Sequence, residues 1–164
     1  MVRVRHPPQL PGPSEASVFL AGSIDQGQAP DWQAEVVRRT MNENNLPDVI
    51  FYNPRRPDWD AGWSAHGDPR LTAQIHWELD HLERATQVFF HLSADSLAPV
   101  SMLELGAMLH QRPAHRLIVV CPRGYWRSTN VRVTCLRKGV QVHETLAEGL
   151  SELFGRLRRT AAEG

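Results

Sequence analysis

Three carboxylates sit where acid chemistry is possible. Glu104 interrupts the run APVSMLELGAMLH (98–110), which is otherwise almost wholly apolar. Ionised carboxylates are rarely buried without a partner, because desolvation costs several kcal/mol. Glu78 falls in RLTAQIHWELDHLERAT (70–86). At 100° per residue, Leu71, Ile75, Leu79, Leu82 and Ala85 form one apolar stripe there, with Glu78 at its centre. Asp95 follows the apolar segment QVFFHLS (87–93). These three come from consecutive elements that flank one strand end. Several carboxylates at one site suit cleavage of a glycosidic bond: one attacks the anomeric carbon and another handles the proton of the leaving group.

Each residue has a plainer reading. Ser101 through Glu104 fits an S-x-x-E capping box, with Ser101 as N-cap. A first-turn position would let the helix dipole keep Glu104 ionised. Glu78 could pair with Arg55 or Arg56, and aspartate is common in turns. The histidines offer little to a metal: His76 and His81 are five apart and share no helix face, and no HExxH occurs. No metal and no organic cofactor is expected.

The elements that would position these carboxylates follow from periodicity. Short β-rich apolar runs cover 17–23, 48–54, 87–93, 116–122 and 140–144. Helical patterns cover 31–44, 70–86, 99–110, 128–139 and 145–160, the first opened by Asp31 as N-cap. Strand and helix alternate five times, and the first four strands are too apolar to have a wet face. This predicts a doubly wound α/β domain with a five-stranded parallel sheet over 17–160, a single domain. Ligands of such sheets bind beyond the carboxyl ends of the strands, where AGSID, NPRRPDW, SADSLAP and CPRGYWR fall. Residues 1–16, with four prolines, read as a flexible or extended arm. The helix at 99–110 is apolar nearly all round, so its outer side is expected to be covered by a second subunit.

Composition narrows the partners. The chain has 164 residues, 41% hydrophobic and 22% charged, with Lys+Arg and Asp+Glu equal at 18. No basic excess points to nucleic acid and no polybasic run to a membrane. Cys121 and Cys135 form no CxxC pair, which fits a reducing cytoplasm. The N-terminus lacks the apolar core of a signal peptide, and no apolar run reaches membrane-spanning length.

Taken together, VFLAGSI, NPRRPDW, WELDHLERA and SADSLAPVSMLELGAML resemble the nucleoside 2-deoxyribosyltransferase family over roughly residues 17–145. The resemblance implies a flavodoxin-like fold, a homo-oligomer with active sites shared between subunits, and double displacement at C1′ of a deoxyribonucleoside. It implies that Glu104 is the nucleophile and that Glu78 and Asp95 contact and protonate the departing base. Gly22 and Ser23 of the AGSI loop, and Asn53 and Arg55 of NPRR, would bind substrate. Asn130 would reach a neighbouring subunit's site. Trp59 and Trp63 could stack on the nucleobase or close over it, and Gly22 could allow the backbone to approach the ribose.

Two departures stand out. Phe19 occupies the position where the family often has a tyrosine that orients the nucleophile, and Tyr52 is a candidate replacement. Relatives that hydrolyse nucleoside monophosphates carry an arginine after GSI, where this chain has Asp25; a carboxylate there would repel phosphate. Nucleosides and nucleobases are therefore the expected small-molecule partners. Hydrolysis at the same site, or nucleotide binding without catalysis, are the alternatives.

Overall fold

The computed structural model describes residues 1–14, 16–25, 28–56, 58, 63 and 67–163. Among them, six strands form one parallel sheet: β1 (Val2–Arg5), β2 (Ala16–Gly22), β3 (Val49–Tyr52), β4 (Gln87–His91), β5 (Leu117–Val120) and β6 (Val142–His143), in the order β1-β3-β2-β4-β5-β6. Five helices connect them: α1 (Trp32–Met41), α2 (Pro69–Arg84), α3 (Pro99–Gln111), α4 (Ser128–Arg137) and α5 (Leu146–Glu163). Without β1, the order is that of flavodoxin-like sheets, whose ligand crevice opens where the chain switches direction, here at the carboxyl ends of β2 and β4.

The sixth strand is the difference from expectation. VRVR is short and half charged, so it lacks the apolar signal of the other strands. It pairs in register with β3, Val2 beside Val49 through Arg5 beside Tyr52. The Met1 ammonium meets the Asp48 carboxylate, and Arg3 donates to the Pro13 carbonyl at 2.7 Å. Charged residues on an edge strand also discourage further pairing.

Adjacent strand residues point to opposite layers, and the core divides accordingly. Phe19, Trp77, Leu82, Phe90, Leu105, Met108, Val131 and Cys135 pack under α2, α3 and α4. Trp32, Val36, Phe89, Leu150, Leu153 and Leu157 pack under α1 and α5. Cys121 and Cys135 are buried free thiols.

Helix ends explain where segments stop. The Asp31 carboxylate accepts from the Ala34 amide at 3.0 Å, capping α1 as its position suggests. Asp68 accepts from the Arg70 amide at 2.8 Å at the start of α2. Arg112 donates to the Leu82 and Ala85 carbonyls, closing the other end of α2. Helix α3 begins differently. Ala98 precedes it in the left-handed region (φ 45°) and offers no capping side chain, while Pro99 supplies a preset first turn. Ser101 is buried inside the helix, so it is not an N-cap and no capping box forms. Glu104 lies in the second turn, beyond the main reach of the dipole.

The stripe expected on α2 is also corrected. Ile75 and Leu79 are exposed at 45% and 43%, and the buried face carries Gln74, Trp77, His81 and Leu82. Aromatic packing sets the rotation. Trp77 stacks on His81 at 4.0 Å and lies 6.3 Å from Phe19, and burying that ring area outweighs two aliphatic side chains.

Candidate active site

Glu78 and Glu104 sit at the margins of the buried faces of α2 and α3, each only partly accessible. The two helices share one face of the sheet, and the carboxylates are close enough to feel each other. Burial pushes Glu104 up to about 8 from an ordinary 4.5, and the charge of Glu78 adds to the rise. Burial also raises Glu78, opposed by a hydrogen bond that its Oε1 accepts from Gln74 Nε2 at 2.6 Å. Helix-dipole stabilisation of an ionised Glu104 is therefore not what governs it; at neutral pH the pair holds a proton. Among the described residues no cation pairs with Glu78: Arg56 makes a bidentate contact with Asp58 instead, and Arg55 binds Gln33 and the Ala29 and Pro30 carbonyls.

Other expected site residues fall into distinct groups. Ser23 is buried and fully engaged: its amide donates to the His91 carbonyl at 3.0 Å, its hydroxyl accepts from the Ser93 amide at 3.0 Å, and its carbonyl accepts from Trp32 Nε1 at 2.9 Å. Gly22 has φ 148°, and a Cβ there would lie 2.1 Å from the His91 carbonyl oxygen. The close approach is thus to the neighbouring strand. Asn53 is buried, with its side chain accepting from the Arg55 amide at 3.0 Å. Phe19 is 1% exposed, part of the core beneath Trp77. These residues shape the crevice from below.

Tyr52 does not stand in for a strand-one tyrosine. Its hydroxyl lies beside Ser17, toward the amino ends of the strands, and its ring meets His81 edge-on at 4.5 Å. Trp63 is buried, with the guanidinium groups of Arg56 and Arg70 at 4.6 and 5.0 Å from its ring, an anchoring arrangement. Trp59 lies outside the described residues.

Asp95 is exposed in the turn between β4 and α3. That turn is held from three sides. Ser96 donates to the Asp25 carboxylate at 2.8 Å, and Tyr125 and Trp126 both donate to the Leu97 carbonyl, at 2.7 and 3.2 Å. Asn130 is exposed on the outer side of α4. Gln74, Ser96, Tyr125 and Trp126 escaped the sequence reading. Gln74 was detectable, since a residue four before Glu78 shares its helix face; the Leu97 contacts join distant segments and leave no local signal. A surface cavity of about 290 Å³ lined by Arg39, Glu43, Leu150, Phe154 and Arg158 belongs to the α1–α5 face, opposite the carboxylates.

Glu78 and Glu104 are thus two partly accessible, electrostatically coupled carboxylates on α2 and α3, over one face of a flavodoxin-like sheet. The family model described as nucleoside 2-deoxyribosyltransferase like matches residues 15–125. The chain belongs to that family. The matched span runs from β2 past β5 and contains Glu78, Asp95 and Glu104. No curated protein matches the chain well enough to add a nearer relative. The family points to glycosyltransferase-like chemistry on nucleosides. No helix among the described residues is long and apolar enough to cross a membrane.

Proposed function

We propose that this protein cleaves the N-glycosidic bond of 2′-deoxyribonucleosides and transfers the deoxyribosyl group to another nucleobase. The observation that carries the reading is the coupled pair Glu78 and Glu104, each only partly accessible, with no cation paired to Glu78 among the described residues and with Glu104 raised to about 8. In the first step a Glu104 oxygen attacks C1′ and the C1′–N bond breaks, its electron pair going to the base. Glu104 attacks as the carboxylate, with the pair's proton on Glu78, and Glu78 passes that proton to the departing base nitrogen. Glu104 becomes a glycosyl ester and Glu78 is left charged. A second base then attacks C1′ and returns its proton to the pair. Two displacements retain configuration. Asp95, on its pinned turn, contacts the base.

Asp25 faces the same turn through Ser96, and its charge disfavours a 5′-phosphate, so nucleosides are the substrates. The functional unit is an oligomer. Ile75, Leu79, Val100, Leu103, Val133 and Leu136 are all exposed on the outer sides of α2, α3 and α4. A second subunit over that face would cover them, exclude water from the carboxylates and bring in Asn130.

Chromatography of reaction mixtures tests the function. Each 2′-deoxynucleoside is incubated with and without a second free base. A new nucleoside only when that base is present supports transfer. Base release regardless of acceptor would make the protein a hydrolase. No product from any nucleoside would overturn the reading.

A further inference from the structure

The Gln74 side chain is 96% buried by residue, and its amide has two commitments. Nε2 donates to the Pro54 carbonyl at 3.1 Å and to Glu78 Oε1 at 2.6 Å. Both partners are acceptors, so both N–H groups are used and the amide cannot flip without losing them. The other end shows what this orientation costs: Gln74 Oε1 is buried with no partner among the described residues. An unpaired buried acceptor is destabilising, so the side chain is held by what its nitrogen does. Pro54 belongs to the NPRR segment after β3, at the carboxyl edge of the sheet. Glu78 is one helical turn beyond Gln74. A single side chain thus connects the crevice loop to a site carboxylate.

We propose that Gln74 is a positioning residue for the reaction, fixing the direction of the Glu78 carboxylate from an anchor on the Pro54 carbonyl. The inference rests on the assignment of Glu78 to the reacting pair. Among the described residues, the Gln74 amide from its own helix hydrogen-bonds Glu78, and Glu104 on α3 feels the charge of Glu78. Burial favours the neutral form of His81, one turn further along α2, against the opposing effect of the contact between its Nδ1 and the Trp77 carbonyl. Among the described residues no cation pairs with Glu78, and the Gln74 amide favours its ionised form. Gln74 therefore sets where Glu78 points, and by favouring its ionised form makes it readier to give its proton to the departing base.

Gln74→Leu removes the donor at similar volume, and Gln74→Asn keeps an amide too short to span both acceptors. Two readouts separate this proposal from the function beneath it. The first is the carboxyl carbon resonance of Glu78, followed against pH in protein labelled at glutamate and identified by its loss in Glu78→Gln. In both Gln74 variants its midpoint should rise by about one pH unit. The second is the pH profile of kcat/KM for 2′-deoxynucleoside cleavage. Its acid limb should rise with that midpoint, and kcat should fall about tenfold with little change in KM. An unmoved Glu78 midpoint in either folded variant would overturn the proposal, whether or not the protein turns over nucleosides. A wild type without turnover but with a shifted Glu78 midpoint would overturn the function and leave the positioning intact.

Discussion

Glu78 on α2 and Glu104 on α3 are coupled through their charges: the first helps hold the proton on the second. Such a pair titrates as a unit with two macroscopic steps. The state with one proton is the one that can both attack C1′ and protonate the base. The pH profile of kcat/KM should accordingly be bell-shaped. It should rise as the pair loses its first proton and fall near pH 8 as it loses the second. A rate that keeps increasing above pH 9 would show that the proton comes from elsewhere.

Stability should follow the same pair. Glu104 titrates at about 8 when folded against an ordinary 4.5, so the folded chain keeps a proton that the unfolded chain releases. Its contribution is intact below the lower value and lost as pH rises through the upper one. The loss amounts to at most about 1.4 kcal/mol per pH unit from this group. Denaturant titrations at pH 5 and pH 8.5 should show wild type losing more stability than Glu104→Gln. Equal losses would mean that Glu104 is not buried as described.

Gly22 should be intolerant of any side chain. Its positive φ is strained for other residues, and a Cβ would collide with the backbone of His91. Gly22→Ala should lower unfolding free energy by at least about 2 kcal/mol, read from the denaturation midpoint. A near-neutral result would mean that the β2–β4 junction can open.

The outer face of α2, α3 and α4 should be an interface. Leu103, 75% exposed, lies among its apolar side chains. Sedimentation should find wild type as a dimer or larger, and Leu103→Asp as a monomer with reduced turnover. A monomeric wild type would leave this apolar face without a role.

Asp25 should set selectivity at the 5′ end. Asp25→Asn removes the charge while keeping an acceptor for Ser96, and it should raise kcat/KM for nucleoside monophosphates by about tenfold relative to nucleosides. An unchanged ratio would place the 5′ end elsewhere.

Much of this was readable from residue patterns, and the misses have physical causes. Apolar strands such as VFLAG and VIFY announce a parallel sheet covered on both sides, and Asp31 marks the start of α1. The strand β1 was invisible because its apolar content is two valines between arginines, stabilised by pairing with β3. The α2 stripe misled because counting aliphatic residues ignores Trp77 and His81, whose stacked rings set the helix rotation. The capping box at Ser101 failed because Pro99 and the left-handed Ala98 start α3 earlier than the serine. Glu78 and Glu104 stood out as carboxylates on apolar surfaces. Their electrostatic coupling and the anchoring of Gln74 on the Pro54 carbonyl depend on tertiary packing, which no local pattern encodes.

The central claim is that Glu104 forms a bond to the sugar. Wild type and Glu104→Gln should each be mixed with a 2′-deoxynucleoside, quenched in acid and digested for peptide mass analysis. The wild-type peptide containing Glu104 is predicted to gain the mass of one deoxyribosyl group, and the variant to gain nothing and to release no base. Base release by the variant at the wild-type rate, or a sugar adduct on any other residue, would contradict the account.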